Sequence, residues 1–153
     1  DSSIHLQQFP DIPSDWQDTE LAAKWLDIRK VRRVITGALE VERREKRIGS
    51  SLEAAPIVYI SDANLQAVVA GQNMADICIT SQIDIRHETA PADAFTLDDV
   101  AGVGVVPAMA QGKKCQRSWK ILPEVGSIAA YPELSPRDAD AVAAFDATHR
   151  TAN

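Results

Sequence analysis

The side chains best suited to chemistry are cations in two runs. Nine of the sixteen Lys and Arg lie between Lys24 and Arg47, against four acids (Asp27, Glu40, Glu42, Glu45), a net of +5. Four more, Lys113, Lys114, Arg117 and Lys120, fall in an acid-free stretch, with Trp119 among them. Arginine donates two parallel hydrogen bonds to phosphate and stacks on exposed bases, and a tryptophan between cations can serve as a stacking platform. The formal net charge of −6 speaks against a polyanion partner only as an average, because phosphate contacts depend on local charge. Two blander readings stand beside this one. Arg29 to Arg47 also fits a solvated helix face paired with Glu40, Glu42 and Glu45, and Trp119 fits packing as well as stacking. His5, His87 and His149 are scattered, with no nucleophile or acid patterned beside them, so no catalytic site is expected. Ser50 and Ser51 read as residues that satisfy backbone groups. There is no phosphate-binding glycine loop. Cys78 and Cys115 make no disulfide framework, and Cys78, in the apolar run DICIT, reads as a small buried hydrophobe in a reducing cytosol.

The elements that must position these groups follow from periodicity. In 153 residues with 45% apolar and only 5% aromatic side chains, an aliphatic core is expected. From Asp18 to Arg47 one long helix is predicted, with Leu21, Trp25, Ile28, Val31, Ile35, Ala38 and Leu39 on one stripe. Arg29, Arg33, Arg43, Arg44 and Arg47 fall on the opposite side. Gly37 interrupts this helix with no local reason, at a cost of about 1 kcal/mol relative to alanine, and Gly49 follows its end as a stop. A strand is predicted at 56–61, a helix capped by Asp62 through Ala70, and an extended segment over Ile77, Ile79, Ile83 and Ile85 with a bend near Ser81. Residues 88–101 read as a solvated acidic loop, 103–110 as a strand, 111–135 as turns, and Ser135 or Pro136 to Thr148 as a closing helix. The fold class is therefore α+β: a long N-terminal helix, a small mixed α/β unit and a C-terminal helix, divided as 1–50 and 51–153. No apolar run reaches the roughly 18 residues needed for a membrane span, and DSSIHLQQFP is no signal peptide. The missing initial methionine fits a piece cut from a longer protein.

Three segments in order carry a resemblance. Ser3-Ile4-His5-Leu6 with Phe9-Pro10 comes first. The helix residues Trp25, Arg29, Arg32, Val34, Ala38-Leu39-Glu40 and Arg43 lead into Ile48-Gly49-Ser50-Ser51-Leu52-Glu53-Ala54. Gly112-Lys113-Lys114-Cys115-Gln116-Arg117 with Trp119 is the third. Together they resemble the C-terminal region of bacterial-type isoleucyl-tRNA synthetases: the end of the anticodon-binding helical domain plus the C-terminal extension.

The resemblance implies a translation enzyme of the cytoplasm that attaches isoleucine to its tRNA with ATP and Mg, both used by domains not represented here. This chain would be non-catalytic and would need no cofactor. Its partners would be tRNA, on the anticodon stem-loop side, and the upstream domains of the same polypeptide. Arg29, Arg32, Arg33, Arg43, Arg44, Arg47, Lys113, Lys114, Arg117, Trp119 and Lys120 are the expected tRNA contacts. Many members of the family end in a four-cysteine zinc site. The matching positions here are Cys115, Ser118, Ser135 and Asp138, a degenerate set, so no metal is expected. A compensating apolar cluster of Trp119, Ile121, Leu122, Val125, Leu134, Val142 and Phe145 is expected instead. The helix stripe from Trp25 to Leu39 would bury against anticodon-domain helices absent from this chain, leaving it open to self-association. The alternative is a stand-alone protein-interaction module that uses the amphipathic helix and has no RNA role.

Overall fold

The computed structural model describes residues 3–149. After two single 3-10 turns, helix α1 runs Thr19–Arg44, with Asp18 as its N-cap: the Asp18 carboxylate accepts the Leu21 N–H at 2.8 Å. It is followed by strand β1 (Ile57–Ile60), helices α2 (Ala63–Val69) and α3 (Met74–Cys78), and strands β2 (Asp84–Arg86), β3 (Phe95–Leu97) and β4 (Val100–Val106). A two-stranded ribbon, β5 (Lys113–Lys114) with β6 (Ile121–Leu122), and helix α4 (Pro136–His149) complete the chain. The α+β class stands.

The four-stranded sheet has the order β2-β1-β4-β3. β1 pairs parallel with β2 through the α2–α3 crossover and antiparallel with β4, Val58 opposite Val105 and Ile60 opposite Val103. Along β1, Val58 and Ile60 are buried while Ile57 and Tyr59 are half-exposed, the period-2 alternation of a strand covered on one face. What covers it is α1: Ile28, Val31, Val34, Ile35, Ala38 and Leu39 join Val58, Ile60, Val103 and Val105 in one core.

This corrects the expectation that the helix stripe waits for outside helices. From Ile28 onward the chain's own sheet buries it, and only the first turns, with Leu21, Trp25 and Leu26, stay exposed. The invitation to self-association shrinks to that end.

Three local expectations also change. Ile77 and Ile79 are not extended: Asn73 caps α3, Met74 and Cys78 bury at i and i+4, and Ile79 ends the helix in a left-handed conformation with φ 58°. The alternation Ile77, Ile79 mimicked a strand only because a single helical turn is too short to show its own period. The acidic segment 88–101 contains β3 and the start of β4, joined by a tight turn at Asp98–Asp99 with Leu97 opposite Val100. Phe95 supplies the reason, since it packs against the core although its neighbours are polar. β4 spans Val100–Val106 rather than 103–110; Pro107 interrupts the ladder, which resumes as a single antiparallel bridge between Ala54 and Met109.

Gly37 acquires its reason here. A Cβ at this position would lie 2.9 Å from Phe95 Cε1 and 3.0 Å from Cζ, inside van der Waals contact. Gly49 and Ser50 open the IGSSLEA segment with local bonds: the Gly49 N–H donates to Glu53 at 3.0 Å, and the Ser50 hydroxyl accepts the Leu52 N–H at 3.2 Å. Ser81, buried, links this segment to the ribbon. Its hydroxyl donates to the Leu52 carbonyl at 2.5 Å and accepts the Ile121 N–H at 2.6 Å.

Gly37→Ala tests the close approach of helix and ring. Helix propensity alone would raise stability by about 1 kcal/mol, but overpacking costs about 1–3 kcal/mol. The expected outcome in urea denaturation is a net loss.

Candidate nucleic-acid interface

The ribbon and the turn that closes it carry the second basic run. Lys113 pairs with Leu122 and Lys114 with Ile121. Gly112, at φ 123°, lets its backbone lie against β6, where a Cβ would fall 2.3 Å from the Leu122 carbonyl carbon. Between the strands the chain folds tightly back: the Cys115 N–H donates to the Lys120 carbonyl at 2.8 Å, and the Trp119 N–H to the Cys115 carbonyl at 2.9 Å. The turn sends Cys115 inward and Trp119 outward. Trp119 adopts φ 63°, a region that non-glycine residues seldom occupy, and its ring is 61% exposed with the Lys114 ammonium 5.2 Å from the centroid.

Trp119 therefore does not anchor an apolar cluster. Phe145 does not either, being 60% exposed and stacked on His149. Of the expected group only Val125 is buried; Ile121, Leu122, Leu134 and Val142 are half-covered. What replaces the cluster is polar. Cys115 is 0% exposed, and Ser135 and Asp138 are each 4% exposed. Asp138 Oδ2 accepts the Ser135 hydroxyl at 2.8 Å and the Cys115 thiol at 3.1 Å, while Oδ1 accepts Arg117 Nη1 at 2.9 Å. Ser135 also caps α4, with Pro136 at its first position: the Asp138 N–H donates to the Ser135 hydroxyl at 3.3 Å, while the Ser135 N–H goes to the Cys115 sulfur rather than back to Asp138. That Ser-x-x-Asp pattern was present in the sequence and went unread. The buried Ser118 hydroxyl has no aligned hydrogen-bond partner among the described residues. Burial pushes the Cys115 thiol up, as does its bond to Asp138, but the neighbouring Ser118 and the Ser135 N–H outweigh them and leave it somewhat lowered. Burial by itself pushes the Asp138 carboxyl up. The donors Ser118, Cys115, Ser135 and Arg117 outweigh it and hold the group well below the usual carboxylate range.

The first basic run divides in two. Trp25, Arg29, Arg32, Arg33, Thr36 and Ile77 line one open cleft of about 570 Å³. Arg32 donates to the Ile77 carbonyl at 2.9 Å, Arg33 pairs with Asp99, and Arg29 has no partner among the described residues. The neighbouring Asp76 receives Lys120 and, at 3.8 Å, Arg137. Helix α3 thus brings the N-terminal half of the run beside the second one. Nothing in the sequence marked Asp76 or Arg137 for this, since the pairing spans more than forty residues. Arg43, Arg44 and Arg47 lie elsewhere, roughly 20 Å along the helix from Arg29 at 1.5 Å per residue. Arg43 pairs with Glu40, and Arg47 with Glu42 at 2.6 Å and with Glu45. The hydrogen bond from Arg47 holds the Glu42 carboxyl below its ordinary range. For Arg43 and Arg47 the paired, solvated face is what the geometry displays; Arg44 is exposed without a partner among the described residues.

The remaining candidates are quiet. All three histidines are exposed. Burial pushes the Cys78 thiol up to about 11, against the opposing charge of Arg32, as suits an inert core residue. Among the described residues no three His, Cys, Asp or Glu side chains are grouped to hold a metal ion, and no helix is long and apolar enough to cross a membrane.

A long helix lies on a small sheet, with a basic two-stranded ribbon beside it. Over nearly its whole length the chain is similar to isoleucine–tRNA ligases, the resemblance its three motifs carried. It is 58% identical over 140 residues, 92% of its length, to the isoleucine–tRNA ligase of Agrobacterium fabrum, and 55% identical over the same span to that of Brucella abortus. Identity to the Mesorhizobium japonicum enzyme is 54% over 90% of the chain. In each case the match covers 14% of the relative, so the chain spans about one-seventh of the length of these proteins. No family model matches the chain.

Two outcomes follow for stability. Because Asp138 titrates lower in the folded chain than the ordinary value of about 3.9, its contribution is present above that pH and is lost as pH falls through it and below. Asp138→Ala, which leaves the buried Cys115 thiol and Ser135 hydroxyl without their acceptor, is expected to cost about 1–3 kcal/mol at neutral pH, and Asp138→Asn to flatten the acid limb of stability against pH. Trp119→Ala is expected to change thermal stability by no more than about 0.5 kcal/mol, as for an exposed side chain.

Proposed function

We propose that the chain is the C-terminal part of an isoleucyl-tRNA synthetase, a cytoplasmic enzyme that uses ATP and Mg to join isoleucine to its tRNA, and that this part contacts the tRNA on its anticodon side. The catalytic steps belong to other domains of the same polypeptide. The observation that carries the reading is the ribbon tip. Trp119 is held outward in a constrained turn with the Lys114 ammonium over its ring, and Lys113 is a further exposed cation in this acid-free segment, while Lys120 is paired with Asp76. A base stacked on an exposed indole contributes about 1–3 kcal/mol, and nearby ammonium groups meet the backbone phosphates. Arg29, Arg32 and Arg33 extend this surface through α3. Arg43 and Arg47, already neutralised by glutamates, add less.

A second reading, docking to another protein without RNA, draws on the exposed Trp16, Leu21, Trp25 and Leu26. Salt separates the two, because phosphate contacts weaken steeply with ionic strength and apolar contacts do not.

The test is fluorescence-anisotropy titration of the chain with unmodified isoleucine tRNA across a salt series. Binding is expected to weaken as salt rises, to fall about 10-fold or more in Trp119→Ala, and to fall with a shallower salt slope in Lys113→Ala/Lys114→Ala. Arg43→Ala/Arg47→Ala is expected to change it little. Salt-insensitive binding, or none at low salt, would overturn the reading for this part of the molecule.

A further inference from the structure

The side chains Cys115, Ser118, Ser135 and Asp138 come from two segments and meet in one buried cluster beneath the ribbon, at the positions where the family resemblance implies a zinc site. The donor set does not suit that metal. Structural zinc is held by thiolates, imidazoles or carboxylates; here there are one thiol, one carboxylate and two neutral hydroxyls. The nearest histidine in sequence, His149, lies at the far end of α4 and engages Phe145. Apart from the Ser118 hydroxyl, which has no hydrogen-bond partner among the described residues, the cluster's polar atoms are directed at each other. Asp138 Oδ2 takes the Ser135 hydroxyl and the Cys115 thiol, Oδ1 takes Arg117, and the Cys115 sulfur takes the Ser135 N–H at 3.4 Å. A buried carboxylate receiving three side-chain donors, one of them the charged guanidinium of the half-exposed Arg117, already has the hydrogen bonds and the counter-charge that a cation would give it.

We infer that this cluster is a metal-independent clamp: Asp138, at the N-terminus of α4, draws Cys115, Ser135 and Arg117 onto one carboxylate and so fixes the turn that presents Trp119. The connection to Trp119 is short. Cys115 supplies the carbonyl that accepts the Trp119 N–H, and Gln116 donates its N–H to the Glu133 carbonyl at 3.0 Å, next to the cluster's second segment. In this arrangement Arg117 is a positioning residue for the ribbon, its charge committed inward, rather than a free phosphate contact. The negative carboxylate also lies in the first turn of α4, where the helix dipole favours it.

The experiment has two arms on the whole chain. Metal content is measured by mass spectrometry after purification without chelator and again after incubation with zinc and desalting, with thermal unfolding recorded with and without EDTA. Far less than one equivalent of zinc and an unchanged Tm are expected; one retained equivalent whose removal lowers Tm would overturn metal independence. For the second arm, Trp16→Phe and Trp25→Phe leave Trp119 as the only tryptophan. Adding Asp138→Asn, or the milder Arg117→Gln, is expected to lower the steady-state anisotropy of Trp119 and increase its quenching by iodide, while far-UV circular dichroism stays the same. Should neither substitution alter Trp119 mobility, the clamp is wrong even if the protein is free of metal. Neither arm depends on RNA, so a failure here is distinguishable from a failure of the tRNA reading.

Discussion

The burial of one aliphatic helix face on one sheet face governs this molecule. Ile28, Val31, Val34, Ile35, Ala38 and Leu39 are at most 2% exposed, and they close over Val58, Ile60, Val103 and Val105. With so few aromatics, each contact is a methyl or methylene group against another. Apolar burial of this kind contributes about 25 cal/mol per Å² removed from water. The demand for close approach then reaches outward. Gly37 must lack a side chain so that the Phe95 ring can lie beside the helix, and Phe95 in turn recruits an acidic segment into the sheet.

Once that face is buried, the polar face of the same helix is fixed in space, and its two halves meet different surroundings. Near Arg29 and Arg32 the neighbour is α3, whose carbonyl at Ile77 and carboxylate at Asp76 receive cations from both basic runs. Near Arg43 and Arg47 the paired anions among the described residues are Glu40, Glu42 and Glu45, two to five residues away in sequence. A single run of like-looking arginines is thereby split into a part that belongs to an extended basic surface and a part that is mostly internally compensated.

The reach of sequence reasoning follows the range of the forces involved. The long helix, strand β1, the Asp62 cap and α4 were legible because each rests on local periodicity or on a side chain bonding three residues ahead. Helix α3 and strand β3 were missed because one turn of helix and three residues of strand are shorter than the periods that would reveal them. The destination of the α1 stripe was misjudged for a different reason: amphipathicity says that a face is buried, and says nothing about by what. At the ribbon, the four positions Cys115, Ser118, Ser135 and Asp138 were found through the family pattern, and they do converge. The prediction of an apolar replacement failed because it counted hydrophobic residues nearby and overlooked the hydrogen-bonding capacity of the substituted side chains themselves. The Ser-x-x-Asp spacing at Ser135 and Asp138, which sets a hydroxyl and a carboxylate at a helix start, was the signal available.

The backbone at Trp119 carries one more consequence. A left-handed residue with a Cβ costs roughly 1–2 kcal/mol that glycine avoids, and asparagine tolerates the same conformation better than an indole does. The buried core draws nothing from this ring, which lies outside it in solvent. Judged by folding alone, random substitution at this position should drift toward glycine or asparagine, and the chain would be more stable for it. Within the chain the only contact that sets anything against this strain, among the described residues, is the Lys114 ammonium over the ring, worth about 0.5–1 kcal/mol at an exposed site.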